Sequence, residues 1–187
     1  MMQFNKEKHQ YVVDGIEMTS VSRALEEMGL TKPVPRTPYI QECADKGTII
    51  HEIAELACKG LLDESSIDDR LIPYYRQIQA FLQEYEPKFL AVESPLYAIN
   101  WRIAGRPDFI AEIPKEKIVI VGDWKSGTTG NMWAMRVYSL LCDFEPDEIW
   151  RIHIGETPYK LVKEKLDINV LDMLREKLTE RVKNETV

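Results

Sequence analysis

Between Gly105 and Lys125 two carboxylates and one ammonium stand where folding can bring them together. Asp108 follows Gly-Arg-Pro at the start of a strand-like run, and Asp123-Trp124-Lys125 ends the apolar run Ile-Val-Ile-Val. In Asp-x-Lys the outer side chains are two positions apart, so extended backbone projects both from one sheet face. If the two runs pair through the turn between them, Asp108 comes near Asp123, and Glu93, closing Phe-Leu-Ala-Val-Glu, can add a further carboxylate. That set suits metal-assisted phosphodiester hydrolysis. Mg²⁺ or Mn²⁺ takes oxygen ligands and keeps positions for water and phosphate oxygens, while the lysine orients the attacking water or steadies the pentacoordinate phosphate. Taken alone, Asp-x-Lys also fits a surface ion pair worth about 0–1 kcal/mol.

His51 opens His-Glu-Ile-Ala-Glu on a helix-like stretch. A zinc-protease pattern would need a second histidine where Glu55 stands, and the only other histidines are His9 and His153, so that chemistry is rejected. A lone helical histidine is otherwise compatible with a structural role.

Positioning these residues requires an α/β arrangement. Asp14-Gly15 between two β-rich runs, from His9 to Thr19, predicts an opening hairpin. Thr19 or Ser20 then caps a helix that Gly29 ends, and the proline-rich Thr31–Pro38 reads as a surface loop or flap. Apolar positions from Tyr39 to Gly60 follow helical spacing, with Gly47 marking a bend or a close approach. A second helix runs from Ile72 to about Tyr85 and stops before Pro87. Three successive strand candidates follow, FLAVESPLYAI, RIAGRPDFIAEI and KIVIVGDWKS, the last two joined by the turn Pro114–Lys117. A helix over WAMRVYSLLC, strands EIWRIHI and YKLVKEKL, and an amphipathic helix near Val170–Val182 complete the chain. Helices before and after a central mixed sheet, with no repeat, predict one α/β domain over residues 1–187.

Composition narrows the class. At 187 residues, folding removes roughly 70% of the unfolded surface from water, so no disulfide or structural metal is needed. Charged residues make up 29%, mean hydropathy is −0.30, and no 18-residue apolar run exists, which argues against a membrane span. The start, MMQFNKEKHQ, lacks the apolar segment of a signal peptide. Three cysteines, Cys43, Cys58 and Cys142, form no C-x-x-C pair and point to a reducing, cytoplasmic setting. They also fall short of the four thiolates of an iron–sulfur cluster. The net charge of −7 weighs against a nucleic-acid partner unless bound cations offset the acidic cluster. Arg102, Arg106, Lys115, Lys117 and Lys125 are concentrated in the same stretch and would give a local positive approach. Trp101, Trp124 and Trp133 are candidates to stack on unpaired bases, with core packing as the alternative.

In order along the chain, the opening hairpin with Thr-Ser-Val-Ser, Gly47-x-x-x-His51, Val-Glu93, Gly105-x-x-Asp108, Asp123-Trp-Lys-Ser-Gly127 and a helix bearing Tyr138 resemble the PD-(D/E)XK nuclease superfamily, specifically its RecB-like and phage-type exonuclease branch. The resemblance implies a restriction-endonuclease-like core and a Mg²⁺- or Mn²⁺-dependent deoxyribonuclease, more an exonuclease than an endonuclease. It implies His51, Asp108, Asp123 and the backbone carbonyl of Trp124 as metal ligands, Lys125 to activate or position water, and Glu93 as an acidic group beside them. Substrate contacts would fall to Tyr138, Arg106 and Arg136. The branch usually carries Gln-x-x-x-Tyr on that helix; here Ala134 stands four residues before Tyr138, and Arg136 or Asn131 is placed to compensate. Members with an iron–sulfur cluster carry four cysteines, so the resemblance here favours a phage or prophage exonuclease of recombination or DNA processing. DNA would be its partner, with a single-strand annealing or recombination protein or a ring of copies holding it. Two other classes stay open: a catalytically inactive DNA- or protein-binding module on this scaffold, and a metal-dependent hydrolase of short nucleotides.

Overall fold

Asp14 and Gly15 take positive φ of 49° and 82°, the pair of left-handed residues that a two-residue hairpin turn requires. They join β2 (Gln10–Val13) to β3 (Ile16–Ser20), and β1 (Met2–Asn5) pairs antiparallel on the other side of β2. The computed structural model describes residues 2–5, 10–35, 37–127, 132–155 and 158–185; His9 and Asn131 lie outside them. The Ser20 hydroxyl caps α1 (Val21–Glu27) by accepting from the Arg23 N–H, and Gly29, at φ 71°, ends that turn of chain. Thr37 caps α2 (Pro38–Cys58) in the same way, with Pro38 in the first turn where its missing N–H costs nothing. α3 (Ile72–Tyr85) carries Pro73 in its first turn and stops where Glu86 turns left-handed, ahead of Pro87.

Two of the expected strands each divide. FLAVESPLYAI becomes β4 (Lys88–Val92) and β5 (Leu96–Ala98); RIAGRPDFIAEI becomes β6 (Ile103–Gly105) and β7 (Phe109–Ile113). The breaks fall at Glu93-Ser94-Pro95 and Arg106-Pro107-Asp108. A proline cannot donate to a ladder, and Glu93 sits at φ 49°, so the chain leaves one sheet for the other at both points. β8 (Ile118–Lys125), α4 (Trp133–Leu141), β9 (Glu148–His153), β10 (Lys160–Lys165) and α5 (Ile168–Glu185) follow as the periodicity indicates.

The strands order as β1-β2-β3-β6-β5 and β10-β9-β8-β7-β4. The second is the central mixed sheet: β8 and β9 run parallel across the α4 crossover, and its other neighbours pair antiparallel. One face carries Phe109, Ile120, Trp124, Trp150 and Ile152 against Ile50, Ile53 and Ala54 of α2 and Ile78 and Phe81 of α3. The opposite face, through Ile110, Val121 and Ile149, meets Met132 and Met135 at α4. The far side of α4 packs Val137 and Leu141 on α1 and α5. Burying a side chain such as Ile78 or Leu178 fully contributes about 1.5–3 kcal/mol. No helix among the described residues is long and apolar enough to cross a membrane.

Candidate metal and phosphodiester site

Both breaks between the sheets face one helix. Asp108, at the foot of β7, accepts from the Trp124 N–H through Oδ2 at 2.6 Å and meets His51 Nδ1 through Oδ1 at 3.3 Å. One carboxylate therefore links β8 to α2. The left-handed turn at Glu93 is fixed by its own N–H, which donates to the Asp108 carbonyl at 2.9 Å. His51, Glu93 and Asp108 each offer a ligand atom, all within 4.8 Å of one another. Burial disfavours the charged form of His51, but the hydrogen bond and charge of Asp108 outweigh it, and the ring holds its proton above its ordinary range. Burial and then the Asp108 charge push the Glu93 carboxyl up to about 7, against the opposing pull of Arg106 and His51. His51 and Glu93 each resist their metal-ready form beside Asp108, and the three ligand atoms together make a receptive place for a cation.

Asp123 and Lys125 emerge from the same face of β8, as the spacing requires, with Lys125 Nζ 2.8 Å from Asp123 Oδ1. The other oxygen of Asp123 accepts from Arg151 Nε at 3.1 Å. Asp123 is thus held by two cations, outside the tight group of His51, Glu93 and Asp108. Alternation along β8 sends the Lys125 carbonyl to Ile154 N–H, and turns the N–H and C=O of Trp124 to the Asp108 side. Arg151 is the residue that sequence reasoning missed. An arginine inside the apolar run Glu-Ile-Trp-Arg-Ile-His is itself a signal, because a buried guanidinium demands a carboxylate.

The first sheet supplies the opposite wall. Tyr11, Ser20, Gly105 and Tyr138 line, with His51, Glu93, Arg106 and Asp108, an open cleft of about 840 Å³. Tyr138 lies against Gly105, where a methyl group would come within 2.7 Å of the ring. Burial pushes its phenol well above the ordinary range, so it stays neutral and can donate a hydrogen bond. Arg106 reaches the cleft as an ion pair to Glu93 at 2.6 Å. Gly47 stands one helical turn before His51, and a Cβ there would meet the Ser126 hydroxyl at 3.5 Å, an ordinary contact that does not demand a glycine. The Cys58 thiol, on the same helix, is pushed up to about 12 by burial first and by the Asp108 charge second.

Other candidates go elsewhere. Arg136 pairs with Glu164 of β10 and covers the Trp133 ring at 4.6 Å, apart from the cleft lining. Trp124 cannot stack on bases: it is 2% exposed, with Phe81 and Phe109 at 5.2 and 5.5 Å. Trp101 donates to Thr179 of α5 and, with Trp133, packs against the α1–α4–α5 cluster. Tyr11 and Tyr138 are the aromatic residues lining the cleft. Lys115 and Lys117 sit in the turn at the far end of β8, Lys115 bound to the Glu84 carbonyl and to Glu86, so they give the cleft no positive approach.

No family model and no curated protein matches the chain. Among solved structures it is similar in fold to an alkaline exonuclease, LHK-Exo, from Laribacter hongkongensis, with a TM-score of 0.50 and 11% identity over 89% of this chain and 87% of that one. A second structure, SSO0001, aligns over 84% of this chain and 82% of its own with a TM-score of 0.37 and 19% identity.

Proposed function

We propose that this chain is a divalent-metal-dependent deoxyribonuclease, hydrolysing phosphodiesters from DNA ends. The observation that carries the reading is the convergence of His51, Glu93 and Asp108 within 4.8 Å, beside the end of the strand that bears Lys125. One imidazole nitrogen and two carboxylates match Mn²⁺ and, with water completing the shell, Mg²⁺. When bound, such a cation supplies charge neutralisation at phosphorus and acidifies water. His51, Glu93 and Asp108 would hold it, with Asp123 and the Trp124 carbonyl adjoining. Lys125, kept in place by Asp123, orients the attacking water and meets the charge that develops on phosphate oxygens. Tyr138 donates to the substrate from the opposite wall, and Arg106 at the mouth of the cleft contacts phosphate. The exonuclease fold of the similar structure supports the choice of reaction and of end-dependent cleavage. We take residues 1–187 as one nuclease domain, with an annealing or recombination partner, or a ring of copies, to keep DNA in place.

End-labelled linear DNA with Mg²⁺, an EDTA control and the Lys125→Ala variant test this. Wild type should degrade the linear substrate and spare closed circles, EDTA should stop it, and Lys125→Ala should lose about 100-fold or more in rate. Equal degradation by wild type and variant would remove Lys125 from the chemistry. Mg²⁺-dependent DNA binding with no turnover would mark a binding module instead.

A further inference from the structure

The parallel register of β8 and β9 pairs Asp123 with Arg151, so both side chains rise from one face. Arg151 is 5% exposed, and its Nε lies 3.1 Å from Asp123 Oδ2 while Lys125 takes Oδ1. A buried guanidinium cannot shed its proton and holds its carboxylate in a fixed orientation. Both oxygens of Asp123 are thus already engaged, Oδ2 by Arg151 and Oδ1 by Lys125. We propose that Arg151 is a positioning residue that competes with the metal for Asp123: it reserves this carboxylate for Lys125 and lowers the affinity of the site for divalent cations. The inference rests on the reading of His51, Glu93 and Asp108 as a metal site. It assigns Asp123 first to the lysine and only second to the metal.

The sign of the effect separates this role from simple support. Losing a residue that merely braces a ligand weakens metal binding, about 10–100-fold for outer-shell partners. Competition predicts the opposite. By calorimetry with Mn²⁺ alone, Arg151→Gln should bind about fivefold or more tightly than wild type, while turnover of DNA at saturating Mn²⁺ falls because Lys125 is less well held. In an Asp123→Asn background the same substitution should leave Mn²⁺ affinity unchanged, since the carboxylate for which arginine and cation compete is already gone. A purely long-range charge effect would persist in that background. Arg151→Lys keeps the charge but loses the guanidinium geometry; it should show a smaller tightening, and it decides the matter if Arg151→Gln does not fold. Unchanged or weaker Mn²⁺ binding in the folded variant would overturn the proposal and leave the metal site standing. A wild-type protein that binds no Mn²⁺ would instead overturn the metal reading itself, and this inference with it.

Discussion

At the level of single residues, two groups of the site, His51 and Glu93, hold protons that a metal would displace, and pH should show it. Glu93 is pushed up to about 7 from a usual 4.5 by burial first and by Asp108 second. His51, despite the opposing effect of burial, holds its proton above the usual 6.5 because Asp108 accepts from it. A group whose folded value is raised contributes stability that is whole below its unfolded value and disappears as pH climbs through the folded one. Both groups act in this direction, so the metal-free protein should lose stability as pH rises from about 4.5 through about 7 and beyond the His51 titration. A cation replaces both protons, so Mn²⁺ affinity should climb over the same interval and level off above it. Glu93→Gln should flatten the part of the climb centred near 7. Thermal melts with and without Mn²⁺ across this range measure both effects. A metal-free melting temperature that rises steadily over that interval would contradict the assignment of the shifted protons to this pair.

At the level of elements, one glycine sets the site because of what it leaves room for. A Cβ on Gly122 would fall 1.9 Å from the Phe109 ring, which is fully buried and cannot move aside. Gly122 precedes Asp123 and Phe109 follows Asp108, so this one contact fixes how the two acid-bearing strands lie together. Gly122→Ala should cost about 2 kcal/mol or more by overpacking, read as a lower urea midpoint. Surviving folded protein should bind Mn²⁺ less well, because Trp124 N–H and Asp108 are no longer held in register. What was legible beforehand follows the same division. Asp14-Gly15, the Ser20 cap and the pairing of Asp123 with Lys125 depend on neighbouring residues, and the sequence carries them. Glu93 and Arg106 lie at strand breaks that exist because two sheets share the chain, and continuous β-like patterning hides such breaks. Trp124 shows the limit of adjacency: it stands between two site residues, yet strand alternation sends it to the other face and into the core. Arg151 signals a buried carboxylate partner by standing in an apolar run, but which one is hidden, because that partner lies 28 positions earlier, on the neighbouring strand.

At the level of the whole molecule, the net charge of −7 meets a cleft whose acids outnumber its cations. Of the five basic residues clustered between Arg102 and Lys125, Lys117 stands eight positions before Lys125 along an extended strand, roughly 26 Å away. Lys115 is bound beside it to Glu84 and Glu86, and Arg102 occupies the left-handed turn that leads into β6. Arg106 lines the cleft and faces Glu93, while Lys125, outside that lining, faces Asp123 at the end of β8. On the proposed reading, metal should strengthen phosphate binding, and few counterions should leave when it binds. Each neutralised phosphate contributes about −0.9 to the slope of log affinity against log salt on duplex DNA. Fluorescence anisotropy with a labelled duplex should find weak binding in EDTA, tighter binding with Ca²⁺, and a slope no steeper than about −3. Arg106→Ala should remove about one unit of that slope. Tight, steeply salt-dependent binding in EDTA would mean that DNA is held by a surface other than this cleft. The same titration repeated over a range of protein concentrations separates the single chain from a ring, because a ring adds contacts, and slope, only where copies assemble.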